Sequence, residues 1–246
     1  MQAAGLVLTS YQESLTRAMD VVANNVSNAN TTGFKRQEIQ FDSLIVRSTN
    51  EDKLTFAADR GTFRNTAQGP MLTTGNPLDV AIQGAGYFPI QTANGTYYTR
   101  AGVFMLNGSG EIVTGSGDKL LGDGDQPITL PDDASDIHIT ADGVITAKSG
   151  AGTDVTQVGK LKIVKFDREQ EMQVAGNGLY STSQQPQTDT DSRIVQGMIE
   201  RSNVESVNEI TNMIKILRSY QQTVHLLEKE HQRQTDSINK LSKATA

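Results

Sequence analysis

The C-terminal stretch of this 246-residue chain constrains its fold more than any other part. Positions Ile210, Met213, Leu217, Tyr220, Val224, Leu227, His231, Gln234, Ile238 and Leu241 advance in alternating steps of three and four, and eight of the ten are apolar. A heptad seam held over more than four repeats predicts one coiled-coil helix, from about Asn203 to Lys243. At 1.5 Å per residue such a helix reaches roughly 60 Å. So long a helix with so narrow an apolar stripe is not stable alone in water, and it therefore needs a partner.

The N-terminus supplies one. Leu8, Tyr11, Leu15, Ala18 and Val22 repeat at the same spacing and predict a helix of about 25 residues. Because this helix is shorter, the remainder of the C-terminal seam is expected to pack on other copies of the chain. Glycine and proline mark off the middle. Of 22 Gly, 19 lie between Gly61 and Gly178, and all six Pro lie between Pro70 and Pro186. Both residues weaken helix interiors and punctuate turns. Short segments such as VAIQG, YFPIQ, TYYTR, EIVTG and GVITA alternate there with the turn pairs Asn94-Gly95, Asn107-Gly108 and Asp142-Gly143, which predicts an all-β module built from hairpins. The expected fold class is α+β, with terminal helices forming a coiled-coil domain and an all-β domain inserted between them. The boundaries are 1–33 and 203–246 for the helical, polymerising domain, 34–62 for an extended linker, 63–190 for the β-rich outer domain and 191–202 for a return segment.

Charge narrows the partners. Of the net charge of −6, residues 61–196 carry all, with 9 Lys/Arg against 15 Asp/Glu, whereas both ends are near neutral. An acidic middle without a basic stripe argues against nucleic acid and anionic membrane. There is no Cys, which excludes disulfides, thiolate metal sites and a cysteine nucleophile. The N-terminus has no basic residue before Arg17 and only a short apolar run, Ala3–Leu8, so no cleavable signal peptide is expected.

Catalytic and metal-binding patterns are sparse. His138 alternates with Ile137 and Ile139 and is expected on a solvated strand face. His231 falls on the seam beside Gln234, where polar residues set register, and His225 does not share its face. Gly84-Ala85-Gly86 meets Pro89 where a dinucleotide loop needs Gly, and Asp123 and Asp125 meet Pro127 where a calcium loop needs a ligand. No catalytic, cofactor or metal residues are assigned, no small-molecule substrate is expected, and the chain reads as a non-enzyme. Pro89 is expected to place its strand at a sheet edge, where its missing N–H costs no ladder bond.

Three separated blocks resemble one family. ANNVSNANTTGFK (23–35) is similar to the ANN-(I/V/L)-xNxxTxGFK signature of the axial flagellar proteins, the rod, hook and hook-junction family. NPLDVAIQGAGYFPIQ with YYTRAGVFMLNGSGEIVT resembles the family's LDVAIxGxGFF and YTRxGxF blocks, and GMIERSNVESVNEITNMIKILRSYQ resembles its ExSNVxxVxEMxxMIxxxRxY block. The length, GDKLLGDGDQPITLPDDASDIHITADGVITA and VGKLKIVKF look most like the proximal-rod member, with the distal-rod member a close relative. The resemblance implies a structural subunit of the bacterial flagellar basal-body rod in the periplasm. Its partners would be copies of itself, other proximal and distal rod proteins and the flagellar type III export apparatus, and it would transmit motor torque for motility. Distal-rod or hook-family membership is the alternative, and a secreted adhesin-like module on a helical stalk a further one.

The resemblance also gives a reading of 21–34, which are all uncharged in a chain that is 20% charged. In a homopolymer a buried charge meets like charge at every lattice step, whereas Asn donates and accepts at once. Asn24, Asn28 and Thr31 lie at helical spacing and are expected to face the next subunit, with Asn25 beside them, Gly33 ending the helix and Phe34 anchoring the linker. The expected assembly interface comprises these residues together with Leu8, Tyr11, Leu15, Val22, Ile210, Met213, Leu217, Tyr220, Val224, Leu227, Ile238 and Leu241.

Overall fold

The computed structural model of the chain describes residues 2–47, 53–131, 134–149 and 155–244. The fold is α+β, with helices α1 (Gln2–Ser27) and α2 (Ser206–Ala244) at the two ends and a β-rich region between them. It divides into two compact units, one of Met1–Ser27, Gln37–Asn65 and Glu205–Ala246, the other of Asn28–Arg36 and Thr66–Val204.

In the first unit α1 packs on α2 and on a long antiparallel hairpin, β1 (Gln37–Arg47) with β2 (Lys53–Arg64). The expected extended linker thus carries ladder-paired backbone over most of its length. Its alternation of Ile39, Phe41 and Ser43, followed by Leu44-Ile45-Val46, suits a strand. A bulge between Gln40 and Phe41 leaves Arg60 as the extra residue, beside Gly61 at φ 115°. Along α1, Ser14, Leu15, Ala18, Val22 and Asn25 are buried, a spacing of three and four that follows from 3.6 residues per turn. Hydroxyls inside the helix, those of Thr9, Ser10, Ser14 and Thr16, donate to carbonyls of the preceding turn rather than competing for the ladder.

The second unit begins with the turn after α1. It contains a seven-stranded sheet in the order β14-β15-β6-β5-β9-β8-β7 and a three-stranded sheet β10-β11-β12. The larger sheet comprises β5 (Phe88–Thr92), β6 (Gly95–Thr99), β7 (Phe104–Leu106), β8 (Ile112–Thr114), β9 (Lys119–Leu120), β14 (Gln173–Gly176) and β15 (Leu179–Ser181). The smaller comprises β10 (Ala134–Ile139), β11 (Val144–Ser149) and β12 (Val155–Lys160). The segment expected only as a return, 191–202, forms β17 (Arg193–Gln196) and β18 (Met198–Glu200). These pair with β4 (Val80–Gln83) and β3 (Met71–Thr73), and β13 (Val164–Lys165) pairs with β16 (Gln187–Thr188).

Two buried clusters hold this unit. Val80, Ile82, Phe88, Ile90, Phe104 and Ile145 lie in the larger, where the Phe88 and Phe104 rings meet edge to face at 5.5 Å. Tyr98 and Phe166 meet at 4.7 Å in the smaller. Each such side chain contributes about 1.5–3 kcal/mol on burial. Pro89 is not on an edge strand, because β5 has neighbours on both flanks. Tyr87 exchanges backbone bonds with Val164, and two residues on, Pro89 accepts from Leu121 N–H at 3.0 Å. The proline's missing N–H therefore falls where that flank changes partner, and no ladder bond is lost.

Candidate functional site

The segment 28–36 lies beside 197–204 within the second unit. Gly33 N–H donates to Glu200 C=O at 2.8 Å, Asn203 N–H to Phe34 C=O at 3.4 Å, and Arg36 N–H to Asn203 Oδ1 at 2.7 Å. Gly33 has φ +70°, and a Cβ there would stand 2.6 Å from Ala101 N and Arg100 C, so only glycine permits the approach.

That zipped pair carries a buried charge cluster. Lys35 Nζ donates to Glu200 Oε1 at 2.6 Å and to Ala67 C=O at 2.9 Å. Arg100 donates to Glu200 Oε2 from Nη2 at 2.7 Å and Nε at 3.1 Å, while its Nη1 donates to Gly86 C=O at 2.6 Å and Gly84 C=O at 2.9 Å. Gly69 N–H adds a bond to Glu200 Oε1 at 2.9 Å, and the guanidinium lies 5.9 Å from the centre of the Tyr87 ring. The side chains of Lys35, Glu200 and Arg100 are only 2%, 1% and 4% exposed. Two cations share one anion. Burial pushes the Lys35 ammonium below its ordinary value, the Arg100 charge adds to this, and Glu200 opposes it. The arrangement fills the acceptor positions of the carboxylate and is built to hold three chain segments in register rather than to exchange protons.

A second polar knot lies in the first unit. Asn25 is 1% exposed, and its amide accepts from Gln37 N–H and donates to Gln37 C=O, both at 2.8 Å, with a further bond to Glu209 Oε2 at 3.3 Å. The amide thus serves as a ladder partner for the first residue of β1.

Several expected interface residues stand elsewhere. Helix α1 ends at Ser27, six residues before Gly33, so Asn28 and Thr31 do not extend a helical face. They close a turn instead, with Thr31 N–H to Asn28 C=O at 3.1 Å and Thr31 Oγ1 to Asn28 Oδ1 at 3.1 Å. Asn25 is buried inside its own chain, and Asn24 is exposed. Thr31 also borders a groove of about 330 Å³ with Thr99, Val103 and Ser116. Phe34 is half-buried.

The residues of the expected helical seam divide between sheltered and exposed positions. Leu8 is half-buried and Leu15 and Val22 are buried, but Tyr11 is exposed. On α2, Met213, Tyr220, Val224 and Leu227 are half-buried, whereas Ile210, Leu217 and Ile238 are exposed, as is His231; the side chain of Leu241 lies outside the described residues. The sheltered line runs through Glu209, Met213, Ile216, Tyr220, Thr223 and Leu227. Polar bonds fix it there, Asn25 to Glu209 and Gln12 Nε2 to Tyr220 Oη at 3.0 Å, and these make the pair antiparallel. About one residue round the helix, Val207, Ile210, Ile214 and Leu217 form a second apolar stripe, 43–78% exposed.

Reasoning from sequence missed Lys35, Arg100, Glu200, Asn203 and Glu209 as site residues. Each lies inside one of the three blocks, and Lys35 is the first charge after the neutral run, which was the available signal.

Comparisons with known proteins match the same blocks. Residues 12–35 match the family described as flagella basal body rod protein, 81–147 the flagellar hook protein FlgE/F/G D1 domain, and 195–241 the flagellar basal body rod FlgEFG protein C-terminal family. The chain is 35% identical over 240 residues to the flagellar basal-body rod protein FlgF of Caulobacter vibrioides, covering 95% of this chain and 96% of that one. It is 34% identical over 246 residues to FlgG of Agrobacterium fabrum, covering 90% and 92%, and 33% identical over 244 residues to FlgF of Mesorhizobium japonicum, covering 98% of each.

Proposed function

The chain belongs to the flagellar basal-body rod protein family and is a structural component of the rod, and from that premise we propose that it is a proximal-rod subunit whose α2 stripe is its assembly surface. One observation carries this reading. Helix α2 shelters a mixed line against α1, with Met213, Ile216 and Leu227 between Glu209, Tyr220 and Thr223, yet leaves Val207, Ile210, Ile214 and Leu217 exposed. A soluble helix gains nothing by exposing its apolar stripe unless another surface covers it. In a rod the covering surface is the terminal helix of a neighbouring copy or of another axial protein, so that α1 and α2 complete a coiled coil only in the assembly.

Lengths support the same view. Helix α1 has 26 residues and α2 has 39, or about 39 and 58 Å at 1.5 Å per residue, so roughly 20 Å of α2 extends past its antiparallel partner. The part played is mechanical: many modest interfaces in a helical lattice transmit torque, and no reaction is catalysed. Delivery by the flagellar type III export apparatus, with the terminal helices folding on assembly, completes the proposal.

The near-complete coverage of both FlgF relatives supports the proximal position, and the similar identity to FlgG keeps the distal rod as the second reading. Imaging basal bodies from a strain lacking the gene separates them. Loss of the proximal segment is expected, whereas an intact proximal rod without its distal part would overturn the proximal assignment.

A further inference from the structure

We propose that Asn94 is a site of spontaneous deamidation in the folded protein, with the backbone nitrogen of Gly95 as nucleophile. Three Asn-Gly pairs occur in the second unit, at 94–95, 107–108 and 177–178, and they share the same intrinsic chemistry because an unhindered glycine nitrogen follows each amide. Their surroundings differ.

Asn107 is locked. Its Oδ1 accepts from Ser109 N–H and Glu111 N–H, both at 2.9 Å, and its Nδ2 donates to Glu111 Oε2 at 2.8 Å. Asn177 and Gly178 have φ of 51° and 72°, the left-handed pair of a type I′ turn, and Gly178 C=O accepts from Thr99 Oγ1 at 2.8 Å. Asn94 is exposed on the turn between β5 and β6, and its side chain makes no hydrogen bond to another described residue. Only its backbone is engaged, N–H to Thr92 Oγ1 at 3.1 Å, and the space where a Cβ of Gly95 would stand is open.

The side chain of Asn94 is therefore free to turn its Cγ toward the Gly95 nitrogen. A bond forms between that nitrogen and Cγ, the Cγ–Nδ2 bond breaks, and the amide nitrogen leaves as ammonia, taking the proton of the Gly95 N–H. Water then opens the cyclic imide at either carbonyl, giving an aspartyl or isoaspartyl carboxylate. One water is consumed, one ammonium is released, and nothing is oxidised or reduced. The product places a new negative charge on an exposed turn.

The test is peptide mapping of the full-length folded protein, incubated in mildly alkaline buffer, with mass and isoaspartyl detection at each pair. Asn107 must release three hydrogen bonds before it reacts, so Asn94 is expected to convert roughly a hundredfold faster. In urea the two rates should converge, and Asn94→Gln should remove the fast phase in the folded protein. Rates at Asn94 and Asn107 within about threefold of each other in the folded chain would overturn the assignment, as would a fast phase that survives Asn94→Gln.

Discussion

Replacing Glu200 by glutamine probes the charge cluster most sharply. The substitution keeps the shape of the side chain but removes the anion that Lys35 and Arg100 share at 2.6 and 2.7 Å. Both cations then remain buried without the carboxylate that bonds them, a change that typically costs about 3–5 kcal/mol. Since whole domains are stable by only about 5–15 kcal/mol, this is a large fraction of what the second unit has. With a urea m-value of about 1–3 kcal/mol per molar, the midpoint should fall by roughly 1–5 M. The assay is urea unfolding of the full chain followed by near-ultraviolet circular dichroism, which reports Tyr87, Tyr98 and Tyr180 in the smaller core of that unit. Replacing Lys35, Arg100 and Glu200 together by methionine should restore most of the loss, because an apolar substitute for a buried triad pays no desolvation penalty. A shift of less than about 1 kcal/mol for Glu200→Gln would refute the reasoning, since that is the size of a solvated surface pair.

The same cluster sets a pH dependence. Lys35 is depressed below its ordinary value of 10.5, so between its folded pKa and 10.5 the unfolded chain binds more protons. Stability therefore rises with pH through that window and is lost as pH falls through the folded value, and the difference between the native protein and Lys35→Met, measured by urea unfolding, should show that slope. Asn25→Asp takes away the donor to Gln37 C=O and sets a carboxylate about where the amide now lies 3.3 Å from Glu209 Oε2. It should destabilise the first unit by about 1–3 kcal/mol, read from far-ultraviolet thermal melts. Gly102→Ala would place a Cβ 1.6 Å from Val80 C=O, which forces apart the backbone that joins β4 to the loop before β7. Loss of roughly 2 kcal/mol or more in the second unit is expected, and an unchanged midpoint would contradict the close approach.

Much of the architecture could be read from periodicity. The step of three and four along 210–241 announces a long helix, and the Gly/Pro distribution announces a β-rich middle, because both depend on local geometry alone. The hairpin of 37–64 was less visible, since 48–52 (STNED) offers no Asn-Gly or Asp-Gly pair to mark a two-residue turn. The expected seam combines residues that the structure divides between two stripes. Two overlapping stripes, Val207-Ile210-Ile214-Leu217 and Glu209-Met213-Ile216-Tyr220, interleave on α2, and hydrophobicity favours the exposed one. Choosing the sheltered one requires the partners of Glu209 and Tyr220, which are Asn25 and Gln12 on a distant helix. Lys35 and Arg100 meet Glu200 across 165 and 100 residues of sequence, and no local pattern encodes a contact of that range. The run 21–34 does avoid charge, but the amide of Asn25 bonds within its own chain, whereas Asn24 is exposed.

The central claim is that the exposed stripe of α2 is an assembly surface. The direct measurement is electron cryotomography of basal bodies in cells whose chromosomal copy carries Ile214→Lys, alongside urea unfolding of the purified variant. Because Ile214 is 46% exposed, the isolated chain should keep its stability within about 0.5 kcal/mol. The account predicts that these cells lack a complete rod and do not swim, while full-length rods and normal motility with this variant would contradict it.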